Sequence, residues 1–438
     1  MSKLGIDFGS SYTTISWINP LNGKPEAVKF NGDGSVKCPS VILGQPHGLM
    51  FGYSASLYLE ETNKLPSNDR IEILSNFIPS IKRILNPKSS EYLSGKRYTH
   101  KELLIEYFKH LGTIVHEHCG STYDFDDVTF SHPVSYEQNK IELIRNSLLD
   151  AGFNVTNQKY EPLSAIEGYS LEHQINEGEC FMVFDFGGGT VDVAVVQKKY
   201  GELHTVCEPQ GNSACGGNDI DYILYENLRK IIKKEYSFDI SNDGIVDLGL
   251  LYSCRRLKEY FSDSLDCHDT SILLVDNGKI VNYKYRLSRQ SFNNLISPKI
   301  NEAINVAENA VRDAQNKGYI INKILLIGGS SKITLVCEKL QELCPQSIVE
   351  TCGDKDIVVA LGNISHHVSS QSFEKEITPV SPSVDDNKDE YEQQNLVDKT
   401  KFIKCKHCGS IQCYKIIGRV GYHCIECHRD SKNIIITF

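Results

Sequence analysis

Two stretches of this 438-residue chain set a carboxylate just ahead of a tight turn of small residues. In residues 181–196, FMVFDFGGGTVDVAVV, Asp185 precedes Gly187, Gly188 and Gly189, and Thr190 and Asp192 follow. In residues 4–15, LGIDFGSSYTTI, Asp7 precedes Gly9, Ser10, Ser11 and Tyr12. Glycine permits positive φ and lets the backbone approach a ligand. Successive N–H groups in a tight turn form a concavity for anionic oxygens. A carboxylate beside it suits a hydrated divalent cation that screens those oxygens. One such stretch alone also fits a Gly-rich core hairpin that binds nothing, although a hairpin needs no acid there. Two copies of Asp-Phe-Gly-small-small suggest an internal duplication, with two turns gripping one polyphosphate from opposite sides. A third turn, Gly328-Gly329-Ser330-Ser331-Lys332, follows the apolar run 324–327. A different chemistry closes the chain. Cys405-Lys406-His407-Cys408 and Cys424-Ile425-Glu426-Cys427 are two Cys-x2-Cys knuckles fifteen residues apart. That spacing reads as a four-thiolate site for structural Zn2+, against the rival of a redox dithiol pair.

The elements that must hold these groups are legible in outline. Residues 181–184 have the aromatic and β-branched content of a buried strand, and 190–196 return as a second. Ile73, Leu74, Phe77, Ile81 and Leu85 predict an amphipathic helix over 71–85, stopped by Pro87 and carrying Lys82. Taken alone, Lys82 could equally be a solvated lysine. Helices are predicted over 101–116 and over 136–151, the second ended by Gly152. Gly216 and Gly217 precede a helix over 222–234, whose N-terminus favours anions. Residues 250–261 read as another helix, on which Arg255 and Glu259 either form an exposed i, i+4 pair or alter the contacts to a bound base. Residues 285–314 read as a strand end and a long helix.

In this order and at these intervals, the three turns resemble the sugar kinase, actin and seventy-kilodalton heat-shock chaperone superfamily, most closely the ATPase domain of the heat-shock chaperones. Cys38-Pro39-Ser40, Ile81-Lys82-Arg83, Glu161-Pro162, Cys215-Gly216-Gly217-Asn218-Asp219 and Val311-Arg312-Asp313-Ala314 support the resemblance, which covers about residues 1–365. It implies an α/β fold of the two-lobed actin-like ATPase type, a duplicated ribonuclease-H-like architecture, with lobe I at about 1–172 and lobe II at 173–365. It implies ATP or ADP as ligand, with Mg2+ and monovalent cations such as K+. By resemblance, Asp7, Asp185 and Asp192 hold the hydrated cations, and Lys82, Glu161 and Thr190 orient phosphate and water. Gly9, Ser10, Ser11, Tyr12, Gly187, Gly188, Gly189, Gly216 and Gly217 line the phosphates. Lys258, Ser262, Gly328, Gly329, Ser330, Lys332 and Asp356 serve the nucleoside. The chain departs from the family at Ser131-His132 before Pro133, at Arg255 where the family has Glu, at Glu259 where it has Arg, and at Lys332 where it has Arg. Lysine lacks the planar guanidinium that stacks on a base.

Composition sets the outer bounds. Hydrophobic residues at 40% and charged residues at 23% describe an ordinary globular protein. A formal charge of −10 argues against bulk attraction to nucleic acid or acidic membrane. A core strand directly after Met-Ser-Lys predicts no signal peptide, and no apolar run reaches membrane-spanning length, so a cytoplasmic protein without membrane contact is expected. Fifteen cysteines are then read as reduced thiols, apart from the knuckles. Residues 366–400, rich in Ser, Gln, Pro and acids, read as a disordered linker, and 401–438 as the zinc ribbon. No peptide-clamp domain is expected in this chain. Lys399, Lys401, Lys404, Lys406, Lys415, Arg419, Arg429 and Lys432 make the ribbon basic, which suits a protein partner and also permits nucleic acid. The leading reading is a slow ATPase whose lobe closure is coupled to a partner through the ribbon. The alternative is a nucleotide-sensing adaptor with little turnover. A cytoskeletal polymer and a sugar kinase are weaker rivals.

Overall fold

The computed structural model describes residues 3–30, 34–62, 73–236, 248–262, 266–276, 279–352 and 357–365, with short tail strands at 397–398, 413–416, 422–424 and 430–431. It is a mixed α/β structure with two principal sheets. The first contains β1 (Lys3–Phe8), β2 (Tyr12–Ile18), β3 (Pro25–Ala27), β4 (Asp127–His132) and β5 (Val155–Tyr160), in the order β5-β4-β1-β2-β3. The second contains β6 (Cys180–Phe186), β7 (Val191–Lys199), β8 (Glu202–Thr205), β9 (Lys323–Ile327) and β10 (Ile348–Thr351), in the order β10-β9-β6-β7-β8. Each strand of one sheet has a counterpart of the same sense in the other. β1 runs antiparallel to β2 and parallel to β4, and β6 runs antiparallel to β7 and parallel to β9. The two Asp-Phe-Gly turns are therefore the β1–β2 and β6–β7 connections.

Strand alternation sets the packing of the second sheet. Met182, Phe184 and Phe186 face a core built with α5 (Gly217–Tyr236), α6 (Leu248–Ser262), α7 (Arg289–Asn316) and α8 (Thr334–Leu343). Phe181 and Val183 face the opposite way, onto Ala165, Ile166 and Tyr169 of α4 (Glu161–Ser170) and Val358 and Val359 of α9 (Val358–Ile364). With both faces covered, the strands read as near-continuous apolar runs. In the first sheet, Leu4, Ile6 and Phe8 pack with Leu103, Leu104, Tyr107, Phe108 and Leu111 of α2 (His100–Cys119). Two other helices belong to this half, α1 (Gly52–Thr62) and α3 (Gln138–Asp150). α2 starts with a reciprocal cap: Thr99 Oγ1 accepts from the Glu102 N–H, and the Thr99 N–H donates to Glu102 Oε2 at 2.7 Å.

α9 follows the second sheet in sequence but lies on the first. Asn363 Nδ2 donates to Ile6 O at 2.9 Å, and Ser16 Oγ donates to Ala360 O at 2.5 Å. The approach requires glycine at two places. A Cβ on Gly5 would lie 2.4 Å from Ala360 O, and one on Gly362 would lie 1.7 Å from Ser164 O. A buried ion pair closes this junction. Lys159 Nζ meets Glu167 Oε2 at 2.5 Å and Gly362 O at 3.1 Å, and Ser365 Oγ donates to the same Glu167 oxygen at 2.8 Å.

The helix predicted over 71–85 is not formed. Residues 73–75 are helical, Phe77–Ile78 is a strand paired with the strand Ile42–Gln45, and Lys82–Ile84 is a single 3-10 turn. Pro79 explains the break: it lacks an N–H and disfavours helical geometry at the residue before it. The other predicted helices form, each within a few residues of its expected ends, except that the one after Gly216 begins five residues early, at Gly217. In the tail, four short strands pair, with Cys413 opposite Cys424 and Val397 opposite Ile416. The sheet thus begins at Val397, inside the stretch predicted as linker. Residues 366–396 lie outside the described part. Among the described residues no helix is long and apolar enough to cross a membrane, and the ten described cysteines from Cys38 to Cys352 are free thiols.

Candidate active site

The three small-residue turns meet. A Cβ on Gly188 would lie 2.2 Å from Ser11 Oγ, and one on Gly189 would lie 2.5 Å from Ser10 Oγ, so the β1–β2 and β6–β7 turns are in direct contact. The Gly217 N–H donates to Gly187 O at 3.0 Å, and the Asn218 N–H donates to Gly188 O at 2.8 Å. Ser330 Oγ donates to Gly187 O at 2.8 Å. Gly9 is required by its own turn, since a Cβ there would lie 2.3 Å from Tyr12 O. Gly328 has φ +78, and its missing side chain leaves room for Phe186 O and Asp185 Oδ1.

Beneath the turns lies a group of buried charges. Asp185 and Asp192 are direct partners across the β6–β7 ladder, an arrangement of like charges that weakens a sheet. Asp7 occupies the equivalent place in β1, opposite Thr14. Lys82 Nζ meets Glu161 Oε1 at 2.6 Å with both side chains buried. The aromatic rings of Phe8 and Tyr136 flank the ammonium at 5.8 and 5.6 Å. Asp192 Oδ1 accepts from the N–H groups of Val134 and Ser135 at 2.9 and 3.3 Å, which ties the loop after β4 to the second sheet.

Four carboxylates thus share one ammonium. Burial, then the charge of Glu161, push both Asp7 and Asp192 up to about 7. Asp185 is held well above the carboxylate range by burial and then by Glu161, Asp192 and Asp7. Burial alone would lower Lys82, but Glu161, Tyr136 and Asp7 outweigh it and raise it above its ordinary value. Such a set of hard oxygen donors, short of positive charge, fits hydrated cations. Asp192 Oδ2 is buried without a hydrogen-bond partner, as is Thr14 Oγ1. Among the described residues no three His, Cys, Asp or Glu converge tightly enough to ligate one ion directly.

The second wall of the site is α6. Lys258 Nζ meets Asp221 Oδ1 at 2.7 Å and donates to Gly217 O at 3.0 Å. Arg255 Nε meets Asp221 Oδ2 at 3.3 Å, and Arg255 Nη2 donates to Asn218 Oδ1 at 3.1 Å. Arg255 thus pairs with the buried Asp221 near the start of α5, while Glu259 also acts on its charge. Ser262 Oγ donates back to Lys258 O at 3.2 Å. Lys332 is exposed and Ser330 buried. Arg83 Nη2 meets Asp219 Oδ1 at 3.3 Å, joining the segment after Pro79 to α5. Sequence reading missed Asp221, Asn218 and Tyr136 as members of the site. Asn218 follows Gly216-Gly217 directly and Asp221 comes three residues later, which was the available signal. Asp356, Cys405, Cys408 and Cys427 lie outside the described residues, and Cys424 ends a short strand.

Comparison with known proteins agrees with this geometry. The chain matches the family profile described as Hsp70 protein over residues 80–390. It is 27% identical over 360 residues to the chaperone protein DnaK of Mycoplasmopsis pulmonis (strain UAB CTIP), covering 82% of this chain and 57% of that protein. It is 25% identical over 341 residues to the chaperone protein DnaK of Metamycoplasma hominis, covering 78% and 54%. The same identity holds over 361 residues with that of Ureaplasma urealyticum serovar 10 (strain ATCC 33699 / Western), covering 82% and 57%. The chain thus spans little more than half the length of these relatives.

Proposed function

The chain belongs to the Hsp70 protein family, and from that premise we propose that it binds ATP with magnesium between two lobes and hydrolyses it slowly to ADP and phosphate. The observation that carries this reading is the meeting of the turns at Gly9–Tyr12, Gly187–Gly189 and Gly216–Gly217 above Asp7, Asp185, Asp192 and the Lys82–Glu161 pair. The matching order and sense of the two sheets support the duplicated, actin-like architecture, with the lobes at about 1–172 and 173–365. The turns would present N–H groups to the phosphates. Magnesium, when bound, neutralises phosphate charge and orients the terminal group. Asp7, Asp185 and Asp192 would hold it through water, and the partnerless Asp192 Oδ2 suits a monovalent ion such as K+. Lys82, fixed by Glu161, would direct its charge at the terminal phosphate, while Glu161 and Thr190 orient the attacking water. Positioning and charge neutralisation do most of the work in such transfers. Lys258, Ser262, Ser330, Lys332 and Asp356 would serve the nucleoside.

Lobe closure would be read by a partner, in the reading we favour a protein, through a ribbon of Cys405, Cys408, Cys424 and Cys427 around zinc. The basic residues of the ribbon also suit nucleic acid. Chaperone activity, which the name of the relatives carries, would then be coupled through this ribbon. Free thiols favour a reducing compartment such as the cytoplasm. The test is ATP turnover with magnesium by the full chain, by Lys82→Ala, and by a chain ending near Val368. Turnover lost in Lys82→Ala and kept without the tail is expected. Tight ATP binding with no turnover in the full chain would replace the enzyme with a nucleotide-sensing adaptor.

A further inference from the structure

Lys82, Lys258, Arg83 and Arg255 are each engaged near the turns, but the engagements differ in what departure would cost. Lys82 is buried against Glu161, and moving it would strand a buried carboxylate among three others. Lys258 is buried between Asp221 and Gly217 O. Arg83 is the ion-pair partner of Asp219. Arg255 differs on two counts. Its carboxylate, Asp221, is shared with Lys258, so Arg255 can leave without stranding a charge. Its side chain is 30% exposed, whereas Lys258 is 10% exposed.

The guanidinium also lies against the turns. Its second partner, Asn218, donates its own N–H to Gly188 O, and Asn218 Oδ1 is 3.4 Å from where a Gly188 Cβ would stand. That same Cβ would lie 2.2 Å from Ser11 Oγ of the opposite turn. Tyr12 of that turn is close enough to act on the charge of Arg255. A polyphosphate seated between the turns therefore arrives beside a planar cation with N–H donors to spare, matched to bidentate phosphate binding.

We propose that Arg255 is a second phosphate-binding cation of this cleft, swinging from Asp221 to the polyphosphate of the bound nucleotide and leaving Asp221 to Lys258. The proposal rests on the nucleotide-binding reading above and adds a residue to it. The test uses the full chain, wild type, Arg255→Gln and Arg255→Lys, titrated calorimetrically with the magnesium complexes of ATP and ADP and with AMP. Thermal unfolding monitors the fold, and Arg286→Gln, at a 75% exposed side chain, is the surface control. Arg255→Gln is expected to weaken ATP and ADP by about tenfold, the scale of one charge-assisted contact. AMP binding stays within about twofold on the same reasoning, and Arg255→Lys, which keeps the charge without the planar fork, restores only part of the loss. Equal loss for all three nucleotides would assign Arg255 to the nucleoside or the fold and overturn the proposal, as would no loss. A wild-type chain that binds none of the three overturns the nucleotide reading itself, and this proposal with it.

Discussion

Replacing Asp192 by Asn should stabilise the cation-free protein, and the gain should grow with pH. Asp192 is buried opposite Asp185, and its acid is pushed from an ordinary 3.8 to about 7, by burial first and Glu161 second. In the unfolded chain it titrates near its ordinary value. A carboxylate with a raised folded pKa contributes stability that is fully present below 3.8 and is lost as pH rises through about 7. Each pH unit of displacement corresponds to about 1.4 kcal/mol. Folding the ionised aspartate at about pH 8 therefore costs roughly 4 kcal/mol, against roughly 1.5 kcal/mol at about pH 5, where the folded protein holds the proton. Asn avoids both and keeps the Oδ1 that accepts from Val134 and Ser135. Its advantage should widen by roughly 2.5 kcal/mol over that pH range. Urea unfolding of both proteins in a chelator, at each pH, measures it. An equal difference at the two pH values, or a variant less stable than wild type at the higher pH, would refute the argument that the charge is confined and uncompensated.

Three further outcomes follow from the geometry. Lys159→Met should lower stability by about 3 kcal/mol or more in denaturant titrations, because it strands the buried Glu167, and adding Glu167→Leu should recover much of the loss. Gly362→Ala should lower it by about 1–3 kcal/mol, since the new methyl meets Ser164 O and α9 must shift from α4, which the unfolding midpoint would record. Purified full-length protein should carry one zinc per chain by elemental analysis, and Cys424→Ser or a strong chelator should remove it; a chain purified without zinc that binds none on titration would refute the ribbon.

Much of the site was legible because phosphate-binding turns demand particular small residues next to an acid. Asp7 and Asp185 could be paired from sequence as repeats of one motif, and the structure gives them equivalent strand positions. Periodicity found the long helices, since α2, α6 and α7 each bury one apolar stripe. It failed over 71–85, where apolar spacing outvoted Pro79. Pair contacts were not legible. Nothing in the spacing of Arg255 and Glu259 announces that Asp221, more than thirty residues earlier, takes the arginine. Lys159 and Glu167 look like ordinary surface residues of a strand and a helix, and only the arrival of α9 buries them. Such features depend on where distant segments come to rest, and local pattern carries no record of that.

The position of α9 also bears on how the chain is made. Asn363 bonds to Ile6 across 357 residues, and Ser16 to Ala360 across 344. A ribosome therefore releases the whole first sheet long before the helix that covers its second face. Until that helix emerges, Gly5 and its neighbours present a bare face, and Lys159 and Glu167 are bridged by no closing segment. The part of the molecule synthesised first is the part finished last, and the interval between the two is when a nascent chain of this kind most needs shelter from other chains.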